Sequence, residues 1–112
     1  MRLTLLSILF FLLSCNHSEE IRIINNDKIV KPGEDLKILL YAPINDNYVP
    51  DFYLFSGQDT FALPYDFQEK CAVYNATHNI EKKHHYNGFV IYKNKEGDKT
   101  KTTFEIKYQV KK

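Results

Sequence analysis

Between Thr103 and Lys111 apolar and polar side chains alternate without a break: Phe104, Ile106, Tyr108 and Val110 on one parity, Glu105, Lys107 and Gln109 on the other. Only an extended strand returns every second side chain to the same side, so this segment is built to bury one face and wet the other. A helix would spread the same residues around its circumference and leave no apolar stripe. Whatever else the chain does, it must supply a second apolar layer for this strand to pack on.

The preceding run, Tyr86-Asn87-Gly88-Phe89-Val90-Ile91-Tyr92-Lys93, is β-branched and aromatic, and Asn94-Lys95-Glu96-Gly97-Asp98 provides a glycine for a left-handed turn position. The two runs therefore form a hairpin. Gly88, inside the first run, signals a bulge or a close approach of another backbone. Upstream, Lys31-Pro32-Gly33-Glu34 is a turn in which proline presets the first central angle and glycine accepts the positive second one. It launches Asp35 to Tyr41, whose Leu36, Ile38 and Leu40 share a side. Strands are also expected at residues 21–24, 28–30, 51–55, 60–63 and 71–76, with Asp66 to Lys70 the only stretch suited to a single helical turn. About seven short strands at spacings of 8 to 12 residues predict an all-β, immunoglobulin-like antiparallel β-sandwich. The chain has no tryptophan, and no pair of cysteines to join the sheets, so Phe, Tyr, Leu, Ile and Val must fill the core.

The front of the chain has a different composition. Arg2 is followed by Leu3 to Leu13, apolar apart from Thr4 and Ser7, and then by the polar run Asn16 to Glu20. This is the three-part layout of a secretory signal, too short for a permanent span, which needs on the order of 20 apolar residues. Leu12-Leu13-Ser14-Cys15 resembles the lipobox of bacterial lipoproteins. That resemblance implies cleavage after Ser14, acylation of Cys15 and attachment of the mature chain to a membrane by lipid. The expected organisation is a signal at residues 1–14, a lipidated tether at 15–19 and one sandwich domain at 20–112. Each buried methylene contributes about 0.8 kcal/mol, so several acyl chains on one cysteine anchor durably where one does not. Asn16 is not the aspartate that retains such proteins in the inner membrane, so the outer membrane is expected, with its periplasmic and surface faces both open in view of Glu19-Glu20.

Processing shortens the chain from 112 residues to 98 and removes Arg2, which leaves the 14 acidic residues balanced by 14 basic ones. A neutral domain lacks the basic footprint expected of a nucleic-acid partner. The charge is nonetheless divided: residues 16–80 carry 5 basic and 10 acidic residues, residues 81–112 carry 9 and 4. Lysines on the wet side of two neighbouring strands account for this most simply, and a basic face for an acidic partner is the alternative.

The residues that carry chemistry are sparse. With Cys15 acylated, Cys71 stands alone, and its place in an alternating run predicts a buried, inert thiol. His78, His84 and His85 are close in sequence, but adjacent residues on a strand face opposite ways, so no metal site is assigned. Asn45-Asp46-Asn47 with Asp51 lacks the spacing of a calcium loop and reads as a turn. No nucleophile elbow or phosphate-binding glycine run is present, so neither catalytic residues nor a cofactor is expected.

Aromatic side chains are in surplus. If Leu36, Ile38 and Leu40 point inward, Leu39 and Tyr41 point out, and if Phe52 and Leu54 are core, Tyr53 and Phe55 face away. Tyr41, Tyr53 and Phe55 are therefore the candidate binding residues, of a type enriched in interface centres.

Several of these runs together resemble a known family. Ile29-Val30, Pro32-Gly33-Glu34, Val73-Tyr74, the Tyr86 to Tyr92 run, Asn94 to Asp98 and Phe104 to Val110 are similar to one periplasmic β domain of the GldM family of gliding-motility proteins, over about residues 28 to 112. The resemblance implies a non-enzymatic domain that makes protein contacts, with a lipid in place of the family's membrane helix. The expected role is thus a tethered interaction module with an envelope protein as partner, accessory to an assembly of the gliding or type IX secretion kind. A surface glycan-binding or adhesive module and a periplasmic inhibitor or immunity lipoprotein are the alternatives.

Overall fold

The structure is a computed structural model that describes residues 21–43 and 48–112. The signal, Cys15 with its tether and the Asn45-Asp46-Asn47 loop lie outside the described residues. Among the described residues nine strands are formed: β1 (Arg22–Ile24), β2 (Lys28–Val30), β3 (Asp35–Tyr41), β4 (Asp51–Ser56), β5 (Asp59–Ala62), β6 (Tyr65–Asp66), β7 (Cys71–Thr77), β8 (Lys82–Lys93) and β9 (Lys99–Val110). They make a four-stranded sheet in the order β1-β3-β7-β6 and a five-stranded sheet in the order β2-β9-β8-β4-β5. Each run expected from the sequence forms, and β6, a two-residue rung beside β7, is the addition.

The long hairpin is the frame of the larger sheet. Its register runs from Lys82 opposite Val110 to Lys93 opposite Lys99. The strands are longer than the expected 86–93 and 103–111 because Lys82 to His85 and Lys99 to Thr102 carry no aliphatic signal yet are carried along by pairing. The turn is organised by Asn94, whose side-chain oxygen accepts from the N–H groups of Glu96 (3.0 Å) and Asp98 (2.9 Å), while Gly97 takes φ 85°.

The chain changes sheets between β1 and β2. Asn25 and Asp27 adopt positive φ, which Asn and Asp tolerate better than other side chains. Between them Asn26 acts as a strand surrogate: its amide donates to the Glu105 carbonyl at 3.0 Å, and its oxygen accepts from the Lys107 N–H at 2.8 Å. β2 then runs parallel to β9, an exception to the antiparallel expectation. The Pro32-Gly33 turn forms as predicted, with Gly33 at φ 83° and the Glu34 N–H bonded to the Lys31 carbonyl at 3.0 Å. Asp66 to Lys70 makes its single turn, closed by Lys70 N–H to the Asp66 carbonyl at 2.8 Å and capped by the Asp66 carboxylate.

The core lies between the sheets. Leu36, Ile38, Leu40 and Ala72 meet Phe52, Leu54, Val90, Tyr92, Phe104, Ile106, Tyr108 and Val110. These include the inward parities read from β3, β4 and β9, and burying each large apolar side chain contributes about 1.5–3 kcal/mol. Gly88 marks a close approach: a Cβ there would meet the Tyr53 carbonyl oxygen and the Phe104 ring. Phe104, the residue opposite Gly88, thus covers bare backbone in the inner layer.

Candidate functional site

The outward parity of the larger sheet gathers an aromatic cluster. Tyr53 and Phe55 project from β4, and β8 places Phe89 opposite Tyr53. The Tyr53 and Phe89 rings stack with centroids 4.9 Å apart, and Phe55 lies 5.4 Å from Phe89. On the far side of Phe89, from β9, the Lys101 ammonium sits 4.4 Å from the ring centre. The contacts between neighbouring strands thus engage Phe89 from Tyr53, Phe55 and Lys101 at once. Phe55 remains 42% exposed. The glycine at 88 lets β4 and β8 approach closely beside this cluster.

Lysines flank the rings along the same face. The register puts Lys93 beside Lys99, Ile91 beside Lys101, His85 beside Lys107 and Lys83 beside Gln109, with Glu105 and Asp51 as the acidic exceptions. His85 and Glu105 approach to 3.5 Å on this exposed surface. Lys83, His85 and Lys107 also border an open groove of roughly 380 Å³ that reaches the exposed Ile29 on β2.

Tyr41 belongs elsewhere. It projects from the outer face of the smaller sheet, on the opposite side of the sandwich from Tyr53 and Phe55, with the Arg22 guanidinium 4.3 Å over its ring. Its phenol is raised above its ordinary pKa, first by burial and then by a hydrogen bond with Cys71. The three candidate residues therefore form one cluster of two, completed by Phe89, and one separate lid over a thiol. The Phe89 contribution was legible in parity, since Val90 and Tyr92 point inward, but its partners were not.

Cys71 is buried, as expected, and burial pushes its thiol up. The histidines divide. His85 points outward, while His78 and His84 stack between the sheets at 4.1 Å. They belong to a polar end of the core with Tyr74, Tyr86 and Tyr108: the Tyr108 hydroxyl is 2.7 Å from both the Tyr74 hydroxyl and His78 Nε2, and His84 Nδ1 is 3.1 Å from the Tyr86 hydroxyl. His84 Nε2 is buried with no hydrogen-bond partner among the described residues. Burial, then the neighbouring His78 and Lys82, hold His84 below its usual pKa. Burial and the Tyr74 bond raise the Tyr108 phenol. Among the described residues no three His, Cys, Asp or Glu side chains converge as metal ligands.

Compared with known proteins, the chain matches no family model and no curated protein. Among solved structures it is similar to murine CRIg, with a TM-score of 0.53 over 83% of this chain and 99% of that one, at 11% identity. At that identity the likeness establishes the fold, an all-β immunoglobulin-like sandwich. The two sheets, β1-β3-β7-β6 and β2-β9-β8-β4-β5, are the two layers of that sandwich.

Proposed function

We propose that this chain is a non-enzymatic interaction module, held at the outer membrane by acyl chains on Cys15, that docks on a protein of the bacterial envelope through the outer face of its larger sheet. The observation that carries the reading is the Tyr53, Phe55 and Phe89 cluster, an apolar centre with a charged rim on an open sheet face. That layout is the anatomy of a protein interface, aromatic at the middle and polar around it. The immunoglobulin-like fold supports a binding role over an enzymatic one, though a fold alone does not set a function. The lipobox resemblance of Leu12 to Cys15 supports the anchor, and the resemblance to a GldM domain supports an accessory place beside a gliding or type IX secretion assembly.

Fractionation tests the anchor and affinity capture tests the role. Wild-type protein sediments with membranes and brings down envelope or secretion components, while Cys15→Ala leaves it in the soluble fraction. Retention of Cys15→Ala on membranes would sink the lipid anchor; capture of nothing from the envelope would sink the docking role.

A further inference from the structure

We infer that the outer face of β4, β8 and β9 receives an acidic protein surface, whose carboxylates meet Lys101 and Lys107 while its apolar side chains bed on the cluster of Tyr53, Phe55 and Phe89. The inference rests on the docking reading above and names the chemistry of the partner. Its first ground is charge. Along the twelve-rung hairpin the outward side chains include five lysines and His85 against one glutamate, whereas the overall chain is close to neutral. This concentrates the excess positive charge of residues 81–112 on one flat face, where it favours an acidic partner and speeds encounter.

The second ground is ring geometry, which separates a protein from a polysaccharide. A sugar binds an aromatic by lying on its face. Here Phe89 has Tyr53 stacked on one side at 4.9 Å and the Lys101 ammonium on the other at 4.4 Å, so neither face is open. A cluster of rings engaged with one another in this way instead suits aliphatic and aromatic side chains that pack against it. A bilayer is a poorer fit as well, because insertion needs several protruding apolar groups and, of the three rings, Tyr53 and Phe89 are half-buried and only Phe55 is exposed.

Photocrosslinking of the full-length lipoprotein in the cells that make it provides the test. The photoreactive residue p-benzoylphenylalanine is placed at Phe55 or at Asn87 on this face, and at Lys37 on the opposite face as control. The expected result is a protein adduct from the first two positions alone, whose crosslinked peptide lies beside Asp or Glu. The double variant Lys101→Glu, Lys107→Glu should lower its yield about tenfold or more, since like charges set opposite one another at an interface are strongly unfavourable. Changing the neighbouring partner carboxylates to lysine should then restore the yield. Both lysines are exposed, and an unchanged thermal melt shows that the variant still folds. An adduct unaffected by the charge reversal overturns the inference, as does one to polysaccharide, lipid or a second copy of this chain. A protein adduct from Lys37 alone overturns this face but leaves envelope docking standing, whereas no protein adduct from any position, with no envelope protein captured by affinity, overturns both.

Discussion

The imidazoles of His78 and His84 stack 4.1 Å apart between the two sheets, and His84 Nε2 is buried there with no hydrogen-bond partner among the described residues. Charging His84 there is costly, because its imidazolium would form in a partly desolvated gap.

Acid should therefore destabilise the domain through His84. Its folded pKa lies below the ordinary 6.5, with burial the main cause and His78 the next. Above pH 6.5 the ring is neutral in both states and the stability is fully present. Below it the unfolded chain takes up a proton that the folded chain refuses, so stability falls until the pH passes the folded pKa. Urea denaturation from pH 8 to pH 5 should show this decline, with a slope no steeper than about 1.4 kcal/mol per pH unit for one proton. His84→Gln should flatten it; an unchanged slope in that variant would show that other groups are responsible.

Gly88→Ala should cost about 1–3 kcal/mol, the usual penalty for forcing an extra carbon into a filled layer. The added Cβ would lie 2.6 Å from Phe104 Cζ and would also meet the Tyr53 carbonyl, which is backbone and cannot swing aside. Trimming the ring with Phe104→Leu in the same chain should recover little of the loss if the carbonyl dominates, and most of it if the ring does. Equilibrium unfolding of the single and double variants decides between them.

Tyr108→Phe deletes one oxygen that bonds both the Tyr74 hydroxyl and His78 Nε2, each 2.7 Å away. A cost of about 1–3 kcal/mol is expected, because a half-buried polar group without a partner loses its solvation uncompensated. Tyr74→Phe removes a hydroxyl at the edge of the same network and should cost less. Equal losses in the two variants would remove Tyr108 from its place as the hub.

Cys71 should resist alkylation in the folded protein. The side chain is fully buried and its thiol is pushed up by burial, so little thiolate exists to react. Iodoacetamide labelling followed by mass spectrometry should give no adduct in buffer and complete reaction in denaturant. Tyr41→Ala, which removes the phenol hydrogen-bonded to this thiol, should open a measurable rate without unfolding the chain.

Much of the architecture was written in local periodicity. The parity of Phe104, Ile106, Tyr108 and Val110 determined which side of β9 is core, and the same rule assigned Leu36, Ile38 and Leu40, because adjacent side chains on a strand must face opposite ways whatever surrounds them. The turns at Pro32-Gly33 and Asn94 to Gly97 were equally legible, since their backbone angles depend on the residues themselves. Gly88 announced a close approach without naming the Phe104 ring that meets it.

What the sequence could not determine is which outward residues become neighbours. Tyr41 and Tyr53 carry the same outward signal, yet pairing with β1 and β7 makes the first a lid over Cys71, while pairing with β8 sets the second against Phe89. His78 and His84 likewise come from different sheets and touch only because the sandwich closes over them. Period-two patterning is a property of one strand and is fixed by bond geometry; adjacency is a property of register and sheet order, set by hydrogen-bonded partners distant in sequence. The core was therefore legible in the chain, and the aromatic and basic face was decided only by the fold.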